Sequence, residues 1–373
     1  MKMKLIVLAV ASAIALPIAA QADSSNVRIS GYLNMSVDSL TGNAYGVAAG
    51  KPGNNASMTN VSSNASNLVL SGDEGLGSGW KAIWQVQTFM TFGGTGNTDP
   101  TYSDGLSNGA SFVGLSNDSM GTVLAGKIET PMKILGRKVD LFNNELGDTR
   151  NIISAGTATG LNKAGTWDNS WDLRTNNTVA YVTPNLSGLV ATLAYATNVD
   201  TATNVANSVA AESVESLNAL YSHGPVFAGV AYERHNLAMS ATPYALRLAG
   251  GVRLGQAKLV ALWQTTKNNY GVSGNDRKAF GVGGAYAMGD NTVKLQYYKT
   301  QQFASVSGTD GSLWDLGFDH AMSKRTKLYV AYAEARNGSA TAFTPFGGGH
   351  GDDPGTVTGK NPHGISLGMI HTF

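Results

Sequence analysis

Polar and apolar residues alternate along most of the chain. From Val27 to Asp38, the odd positions carry apolar side chains or glycine, and the even positions carry polar residues such as Arg28 and Asn34. Successive side chains of a β-strand point to opposite faces, so this alternation predicts a strand with one apolar and one polar face. Similar segments recur to the end of the chain. The predicted strands, about sixteen in all, are 27–38, 67–74, 80–89, 110–116, 122–129, 176–183, 189–197, 215–222, 226–235, 244–254, 257–266, 279–288, 292–301, 313–321, 326–334 and 363–373.

The connections between these strands alternate between short and long. Tight turns of residues that tolerate turn geometry are predicted at 75–79, 118–119, 184–188, 224–225, 255–256, 289–290 and 323–325. The longer loops are rich in Gly, Asn, Ser and Thr, and include 41–62, 91–108, 198–214 and 337–362. Short turns at one end and long loops at the other are typical of an outer-membrane β-barrel.

A sheet that crosses hydrocarbon must pair every backbone polar group, so it has to close into a ring. We therefore predict an all-β fold, a transmembrane antiparallel barrel of about sixteen strands, in which the first strand meets the last. Aromatic residues near strand ends would form belts at the two membrane interfaces where they point outward. They include Tyr32, Trp80, Phe89, Tyr181, Tyr195, Tyr232, Tyr286, Tyr332 and Phe373.

The first residues predict export from the cytoplasm. Lys2 and Lys4 precede an apolar stretch, and Ala20-Gln21-Ala22 provides small residues at a cleavage site. The apolar stretch is about sixteen residues long and contains Pro17, whereas a membrane-spanning helix needs about twenty residues. Residues 1–22 are therefore predicted to be a signal peptide, and residues 23–373 the barrel domain.

The composition fits a barrel that has an apolar exterior and a polar interior. Only 14% of residues are charged and 46 are glycine, while the mean hydropathy is −0.08. Ordinary soluble domains contain roughly 25% charged residues. The chain has no cysteine, so pairing and packing alone must stabilise it. Without the two signal-peptide lysines, 26 − 2 = 24 basic residues face 25 acidic residues, and no basic patch suggests a nucleic-acid partner.

Several blocks of sequence, in order, resemble one known family. They are Val27-Arg28-Ile29-Ser30-Gly31-Tyr32, the turn 72–77 followed by Lys81-Ala82-Ile83-Trp84-Gln85, the block 176–184, residues 316–332, and the terminal Phe373. Together they resemble the general diffusion porins of Gram-negative outer membranes, in particular the proteobacterial trimeric porins. The resemblance implies a homotrimer among membrane lipids and lipopolysaccharide, a channel for small hydrophilic solutes and ions, and recognition of Phe373 by the barrel-assembly machinery.

The longest connection, 130–175, is the candidate for controlling pore size. A barrel of about sixteen strands is wide enough to leave an open channel, and in the resembled family the third outer loop folds into the lumen and narrows it. The resemblance places acidic residues of the constriction at Asp140, Glu145 and Asp148. The alternative is that this segment is a solvated surface loop.

The basic side of such a constriction is depleted in this sequence. Uncharged residues stand where family members carry inward cations, at Asn67, Ser71, Gly109, Ala180 and Ile370. The remaining candidates for a basic pore wall are Arg28, Lys81, Arg174 and Arg150. We therefore expect a lumen of slightly negative potential and a mild preference for cations or neutral solutes. The alternative is that Lys127, Lys133 or Arg150 restores the missing charge.

Other classes of function find little support. Gly364-Ile365-Ser366-Leu367-Gly368 fits a hydrolase motif, but that motif works on a turn from strand to helix, and here it lies in the last predicted strand. We expect no catalytic residues. The six histidines are scattered and no phosphate-binding loop is present, so we predict neither a metal site nor a cofactor.

The stronger alternative is a substrate-specific channel with a saturable binding site. Such a channel needs stacked aromatic residues or a basic track along the pore. Trp167 and Trp171 are the only candidates in the long loop. We expect these tryptophans to anchor the loop to the barrel wall instead.

Overall fold

The computed structural model describes residues 23–42, 57–90, 92, 106–154, 171–197, 213–236 and 240–373. The predicted signal peptide lies outside these ranges. Within them, no helix combines the length and the apolar character that crossing a membrane would require. The described strands are β1 (Asp23–Thr41), β2 (Ser57–Ser63), β3 (Asn67–Gly77), β4 (Trp80–Phe89), β5 (Ser111–Asn117), β6 (Gly121–Glu129), β7 (Arg174–Val182), β8 (Leu189–Thr197), β9 (Ser213–His223), β10 (Val226–Asn236), β11 (Tyr244–Leu254), β12 (Ala257–Lys267), β13 (Arg277–Met288), β14 (Asn291–Thr300), β15 (Gly311–Ala321), β16 (Thr326–Asn337) and β17 (His363–Thr372). Two short helices, α1 (Pro131–Arg137) and α2 (Arg150–Ile153), follow β6, and a 3-10 turn (Asn269–Gly271) follows β12.

The strands form one closed antiparallel ring, as the sequence predicts. β3 to β16 each pair with the next strand, and β17 pairs with β1 from Thr372 opposite Tyr32 to His363 opposite Thr41. Both β2 and β3 pair with β1 and are parts of one barrel strand, so 17 − 1 = 16 strands span the barrel. At the seam, Phe373 and Gly31 exchange two backbone hydrogen bonds, each 3.2 Å long.

One predicted loop is shorter than expected. Residues 57–62 were assigned to the loop 41–62, but they belong to β2, which pairs with the second half of β1. The strand was missed because apolar Met58 points inward and polar Thr59 points outward, which reverses the expected alternation at these two positions. Val61 points outward and stands opposite Val37. The strand is therefore recognised by its pairing with β1 and not by its amino-acid composition.

The two faces of the ring match the predicted alternation. Val27, Ile29 and Val37 on β1 are 70%, 66% and 54% exposed and point outward, while Asn34 and Asp38 point inward and are buried. This distribution reverses that of a soluble protein, in which large apolar side chains are usually buried. The outer surface is therefore suited to contact with hydrocarbon, and the interior to contact with polar groups.

Two inward-facing tyrosines lie flat against glycines of the neighbouring strands. Tyr298 on β14 stands opposite Gly281 on β13, and Tyr329 on β16 stands opposite Gly368 on β17. A Cβ atom at Gly281 would come within 2.1 Å of the Tyr298 ring, and one at Gly368 within 2.2 Å of the Tyr329 ring. The glycines thus leave the space that lets both rings lie along the wall.

We expect replacement of Gly281 by alanine to destabilise the barrel because the new methyl group displaces the Tyr298 ring. Overpacking of this kind costs about 1–3 kcal/mol. Urea unfolding of the protein in lipid vesicles measures the free energy of unfolding. Gly284→Ala in the same strand is the matched control, since a Cβ there meets no atom closer than 3.5 Å. Equal stabilities of the two variants would show that the tyrosine does not need this space.

Candidate pore constriction

Residues 130–154 pack against inward-facing side chains of the barrel. Thr130 caps α1 by accepting a hydrogen bond from the backbone N–H of Lys133, and Pro131 fits the first turn because it lacks an N–H to satisfy. Met132 and Leu135 are fully buried among small residues of β10 and β11. Small side chains on these strands therefore leave the room that α1 occupies.

Hydrogen bonds fix α1 to the wall at its backbone. Asn218 on β9 donates from Nδ2 to the Pro131 carbonyl over 2.8 Å. Arg247 on β11 donates from Nη1 to the Met132 carbonyl over 2.9 Å. Both side chains are buried, so these bonds satisfy groups that would otherwise lose hydration without compensation.

A buried ion pair holds the far end of the same connection. Asp172 accepts two hydrogen bonds from Arg247, of 2.7 and 2.9 Å, and both side chains are almost completely buried. Gln264 on β12 accepts a bond from Arg247 Nε and donates one to the Ile153 carbonyl. Arg247 thus ties the beginning and the end of the connection to a single position of the wall.

Trp171 packs beside this ion pair. Its ring stacks on that of His235 on β10, with the ring centroids 4.4 Å apart, and its side chain is buried. This contact agrees with the expected anchoring of the connection to the wall. Trp167, the other candidate, lies outside the described residues.

Glu145, one of the predicted acidic residues, is neutralised by two lysines of the wall. Its carboxylate lies 2.5 Å from Lys294 Nζ on β14 and 2.8 Å from Lys327 Nζ on β16. Both lysines also contact Asp319 on β15, at 3.2 and 2.9 Å. Two carboxylates and two ammonium groups therefore form a neutral network. Sequence reasoning missed these lysines, although the alternation of polar and apolar residues places both on inward faces.

Asp148 and Arg150 pair with each other. Arg150 lies in α2, on the connection itself rather than on a strand of the wall, and donates to Asp148 over 2.6 and 2.9 Å. Asp148 also accepts a bond from the backbone N–H of Asn144. The negative charge of Asp148 and the positive charge of Arg150, both predicted to line the pore, therefore largely cancel.

Asp140 is buried and bound by neutral donors. It accepts hydrogen bonds from the backbone N–H groups of Phe142 and Thr149, and from Gln296 Nε2 on β14. Burial, together with the neighbouring Asp148 carboxylate, raises the pKa of Asp140 to about 7. Near neutral pH this group is therefore only partly ionised.

Arg174, another predicted basic residue, belongs to a cluster that sequence reasoning did not foresee. Glu129 at the end of β6 lies 2.8 Å from Arg174 Nη2, 2.9 Å from Arg137 Nη1 and 3.5 Å from Lys133 Nζ. The Arg174 guanidinium also lies over the Phe89 ring. Three cations share one carboxylate, so the cluster carries excess positive charge.

The other two predicted basic residues lie away from this segment. Arg28 is 61% exposed in its side chain and pairs with Asp73 on β3 over 2.5 Å. Lys81, at the same turn-bearing end of the barrel, is also exposed. The structure therefore does not bring Arg28 or Lys81 together with Arg174 and Arg150.

Strands β3 and β4 place several uncharged polar groups on the inward face, alongside apolar residues such as Val69 and Ile83. The register places Asn67, Ser71, Gln85 and Gln87 on the inward face. A Cβ at Gly109 would lie 2.5 Å from Cγ of Gln87, so a larger residue there would displace the Gln87 side chain. Ala180 is also inward and buried, and Ile370 packs inward against the apolar cluster that includes Phe142.

A second segment, 338–362, packs against the first. Phe346 is fully buried against Phe142 and Leu146. The backbone N–H of Gly147 donates to the Pro345 carbonyl, and Asn151 donates to the Gly347 carbonyl. The sequence predicted only a long loop here, although the two phenylalanines in a glycine-rich stretch are a signal of burial.

The segment 338–362 also reaches β1 and β2. Asp352 accepts hydrogen bonds from Asn60 Nδ2 and Ser62 Oγ, of 2.6 and 3.0 Å. His350 Nε2 lies 3.2 Å from one carboxylate oxygen of Asp38, and both side chains are fully buried. The segment therefore bridges the connection 130–154 and the wall near the seam.

Ser366 takes part in the same group of contacts. It lies within β17, is buried, and donates from Oγ to the other carboxylate oxygen of Asp38 over 2.6 Å. A serine nucleophile needs a base at its Oγ, whereas here a carboxylate separates the serine from His350. The arrangement differs from that of a hydrolase and ties β17 to β1.

Comparisons with known proteins agree with this architecture. The family model described as "Gram-negative porin" matches residues 8–340. The chain is 30% identical to outer membrane porin protein 32 of Delftia acidovorans over 385 residues, covering all of both chains. It is 27% identical to the major outer membrane protein P.IB of Neisseria meningitidis serogroup B, covering 94% of this chain and 98% of that protein.

Solved structures show the same fold. The anion-selective porin from Comamonas acidovorans superposes with a TM-score of 0.73 at 26% identity, covering 94% of this chain and 100% of that one. OmpT of Vibrio cholerae superposes with a TM-score of 0.60 at 13% identity and is similar in fold alone. On the family match and the closed ring of strands, the chain belongs to the Gram-negative porin family.

Proposed function

We propose that this outer-membrane porin forms a water-filled channel through which small hydrophilic solutes and ions diffuse passively, without a saturable binding step. The observation that carries the proposal is the closed barrel with its polar interior, partly filled by residues 130–154. Soluble molecules larger than the remaining space would be excluded by size. The channel needs no catalytic group and no cofactor for this activity.

We infer that residues 130–175 form the constriction of the pore. α1 contacts β8 to β11 and α2 contacts β14 and β15, so the described part of the segment covers one side of the interior. On the opposite side, β3 and β4 present the hydroxyl group of Ser71 and the amide groups of Gln85 and Gln87 to the interior. The path for solutes would run between the two, lined by uncharged polar groups on the strand side.

Several further expectations from the family resemblance remain part of the proposal. They are removal of residues 1–22 as a signal peptide, assembly into a homotrimer within membrane lipids and lipopolysaccharide, and recognition of Phe373 by the barrel-assembly machinery. The position of Phe373 beside Gly31 at the seam supports a role in closing the ring.

For ion selectivity, the contacts in the structure favour the opposite sign from the one that the sequence alone suggests. The expected cation preference assumed that Asp140, Glu145 and Asp148 present free negative charge to the pore. Their contacts pair or bury all three. The cluster around Glu129 instead has three cations for one carboxylate. We propose a weak preference for anions, which accords with the similar structure being that of an anion-selective porin.

The alternative of a substrate-specific channel has less support from the contacts. Trp171 is buried against His235 and offers no aromatic surface to a solute. The cation cluster around Glu129 is the feature that would favour a substrate-specific channel, because it could bind a small carboxylate or phosphate. The flux of such a solute would then saturate with concentration.

We expect the flux of neutral sugars into vesicles containing the purified porin to fall steeply with sugar size and to rise linearly with concentration. Osmotic swelling of the vesicles measures both properties. Saturation with one solute, or current block by it at low concentration, would favour the substrate-specific channel. Absence of size-dependent flux from a correctly folded barrel would contradict the proposed function.

Asp172→Asn should enlarge the size limit of the same assay, because it leaves the buried Arg247 without its counter-charge. Removing one partner of a buried ion pair costs about 3–5 kcal/mol, enough to release the constriction from the wall. Asp276→Asn is the control, since Asp276 and Lys267 form an ion pair that is about one-third exposed. An unchanged size limit in Asp172→Asn would argue against anchoring by Arg247.

Arg137→Gln should lower the ratio of anion to cation permeability by roughly twofold or more. A unit charge about 8 Å from a passing ion contributes about 0.5 kcal/mol in water, and the Arg137 side chain is 27% exposed. Reversal potentials in a salt gradient give the ratio. The control is Arg234→Gln, which removes an outward arginine that also has a glutamate partner. Equal ratios for both variants would exclude the cluster as a determinant of selectivity.

The anion preference should decline as pH rises through about 7. Burial lowers the pKa of Lys133 to about 7, so this lysine is charged below that pH and neutral above it. Asp140, with its pKa raised to about 7, is neutral below that pH and negative above it. As the pH rises, the loss of the Lys133 charge and the ionisation of Asp140 both make the interior more negative. Reversal potentials at pH 5.5 and 8.5 test this, and Lys133→Gln combined with Asp140→Asn should flatten the response. A pH dependence that is the same in this double variant would contradict the assignment.

A further inference from the structure

A small cavity lies inside the mouth of the barrel, at the end that carries the long loops. Its free space is about 20 Å³, whereas a single water needs about 10–15 Å³. Residues of β12, β13 and β14 line it together with residues of the connection between β6 and β7, and they include Ser154, Trp171, Thr266, Arg277, Thr300 and Phe303. No carboxylate is among the described residues that line this cavity. It therefore has room for one small guest and a cation in its wall.

Arg277, the first residue of β13, is a buried cation without a counter-charge among the described residues. It stands opposite Thr266 on the inward face and is 8% exposed. Its Nε donates to the Thr300 hydroxyl and to the Gln301 carbonyl. Within the described ranges neither terminal nitrogen donates a hydrogen bond, Nη2 is fully buried, and no carboxylate forms an ion pair with the guanidinium. A buried charge is costly unless an opposite charge accompanies it, so the site favours an anion.

Two aromatic rings hold the guanidinium of Arg277 in place. Its central carbon lies 4.6 Å from the centre of the Phe303 ring and 5.1 Å from that of the Phe343 ring. The backbone N–H of Phe303 donates to the Thr309 hydroxyl over 2.8 Å. The backbone N–H of Phe343 donates to Asn337 Oδ1, also over 2.8 Å. Rings pack over the face of a guanidinium, whereas its N–H groups donate in its plane. The donors are therefore oriented before a ligand arrives.

We propose that this cavity binds a single halide ion through the terminal N–H groups of Arg277. Guanidinium groups are strong donors to anions, and a monatomic ion suits a space little larger than one water. Phosphate and sulfate carry four oxygens around a central atom and are too large for it. A water fits but brings no charge to offset that of Arg277. The bound ion connects the loops that carry Phe303 and Phe343 to the connection near Trp171, and it stabilises the mouth of the barrel.

Bromide, which scatters X-rays anomalously, tests the site in the native protein. Crystals soaked in sodium bromide should show an anomalous peak beside the terminal nitrogens of Arg277. Thermal unfolding in detergent is then followed while bromide replaces gluconate at constant ionic strength, because gluconate is too large for the cavity. We expect the unfolding temperature to rise with bromide concentration and to level off, since an ion that binds only the folded state stabilises it in a saturable way.

Two variants separate the charge of the site from its space. Arg277→Gln should weaken bromide binding about tenfold or more, because it removes charge-assisted hydrogen bonds. Ala279→Val keeps the cation but fills the cavity, which Ala279 lines, and should weaken binding to a similar extent. Arg234→Gln is the control, because it removes an arginine of the outer face, 3.9 Å from Glu215, and should leave bromide binding unchanged. Circular dichroism checks that each variant keeps its barrel.

Several results would overturn the inference. A native crystal without a bromide peak beside Arg277 would show that the cavity holds water only. A peak without a rise in unfolding temperature would indicate binding at crystal concentration only. An equal rise in the native protein and in Arg277→Gln would assign the effect to ions bound elsewhere, and unchanged binding in Ala279→Val would place the ion outside the cavity. If Arg277→Gln does not fold, the native crystal and Ala279→Val decide the question.

The halide site and the proposed channel can be tested separately. Flux of neutral sugars, measured in gluconate without halide, reports the channel while the site is empty. Size-dependent flux together with a missing bromide peak would reject only the halide site. A bromide peak together with absent flux would reject only the channel.

Discussion

The whole structure depends on satisfying the hydrogen bonds of a backbone that is surrounded by hydrocarbon. No water is available there to pair with a free N–H or carbonyl group, so a spanning sheet can have no open edge. The pairing of β17 with β1, completed by the two bonds between Phe373 and Gly31, removes the last edge. Once the ring is closed, the inward and outward direction of every side chain follows from its position in the strand.

The closed ring creates an interior in which charges must be balanced by protein groups. Glu145 meets two lysines, Asp148 meets Arg150, and Asp172 meets Arg247. Each pair joins part of the connection between β6 and β7 to itself or to the wall. A buried ion pair adds little net stability, but separating its members is costly. The pairs therefore act mainly to hold the connection in one arrangement, as the proposed pore constriction requires.

Much of the fold could be predicted from the sequence because its signal is repeated in every strand. The alternation of side chains gave the strands and their inward residues, such as Ala180 and Ser366. β2 was not predicted because polar residues on its outer face interrupt the alternation. The interior contacts were harder to predict. In the sequence, Lys294 and Lys327 resemble other inward residues, and only the strand register shows that they lie near Glu145. The sequence shows which positions carry carboxylates, but the ion-pair partner of a carboxylate can lie more than a hundred residues away along the chain.

The contacts of residues 338–362 have a consequence for how this protein can vary over evolutionary time. Loops on a protein surface usually tolerate sequence change, because few contacts depend on them. Here the buried Phe346 and the bonds from Asp352 tie such a loop to the barrel interior. A substitution at Phe346 or Asp352 would therefore also disturb contacts inside the barrel, and with them the proposed constriction of the pore.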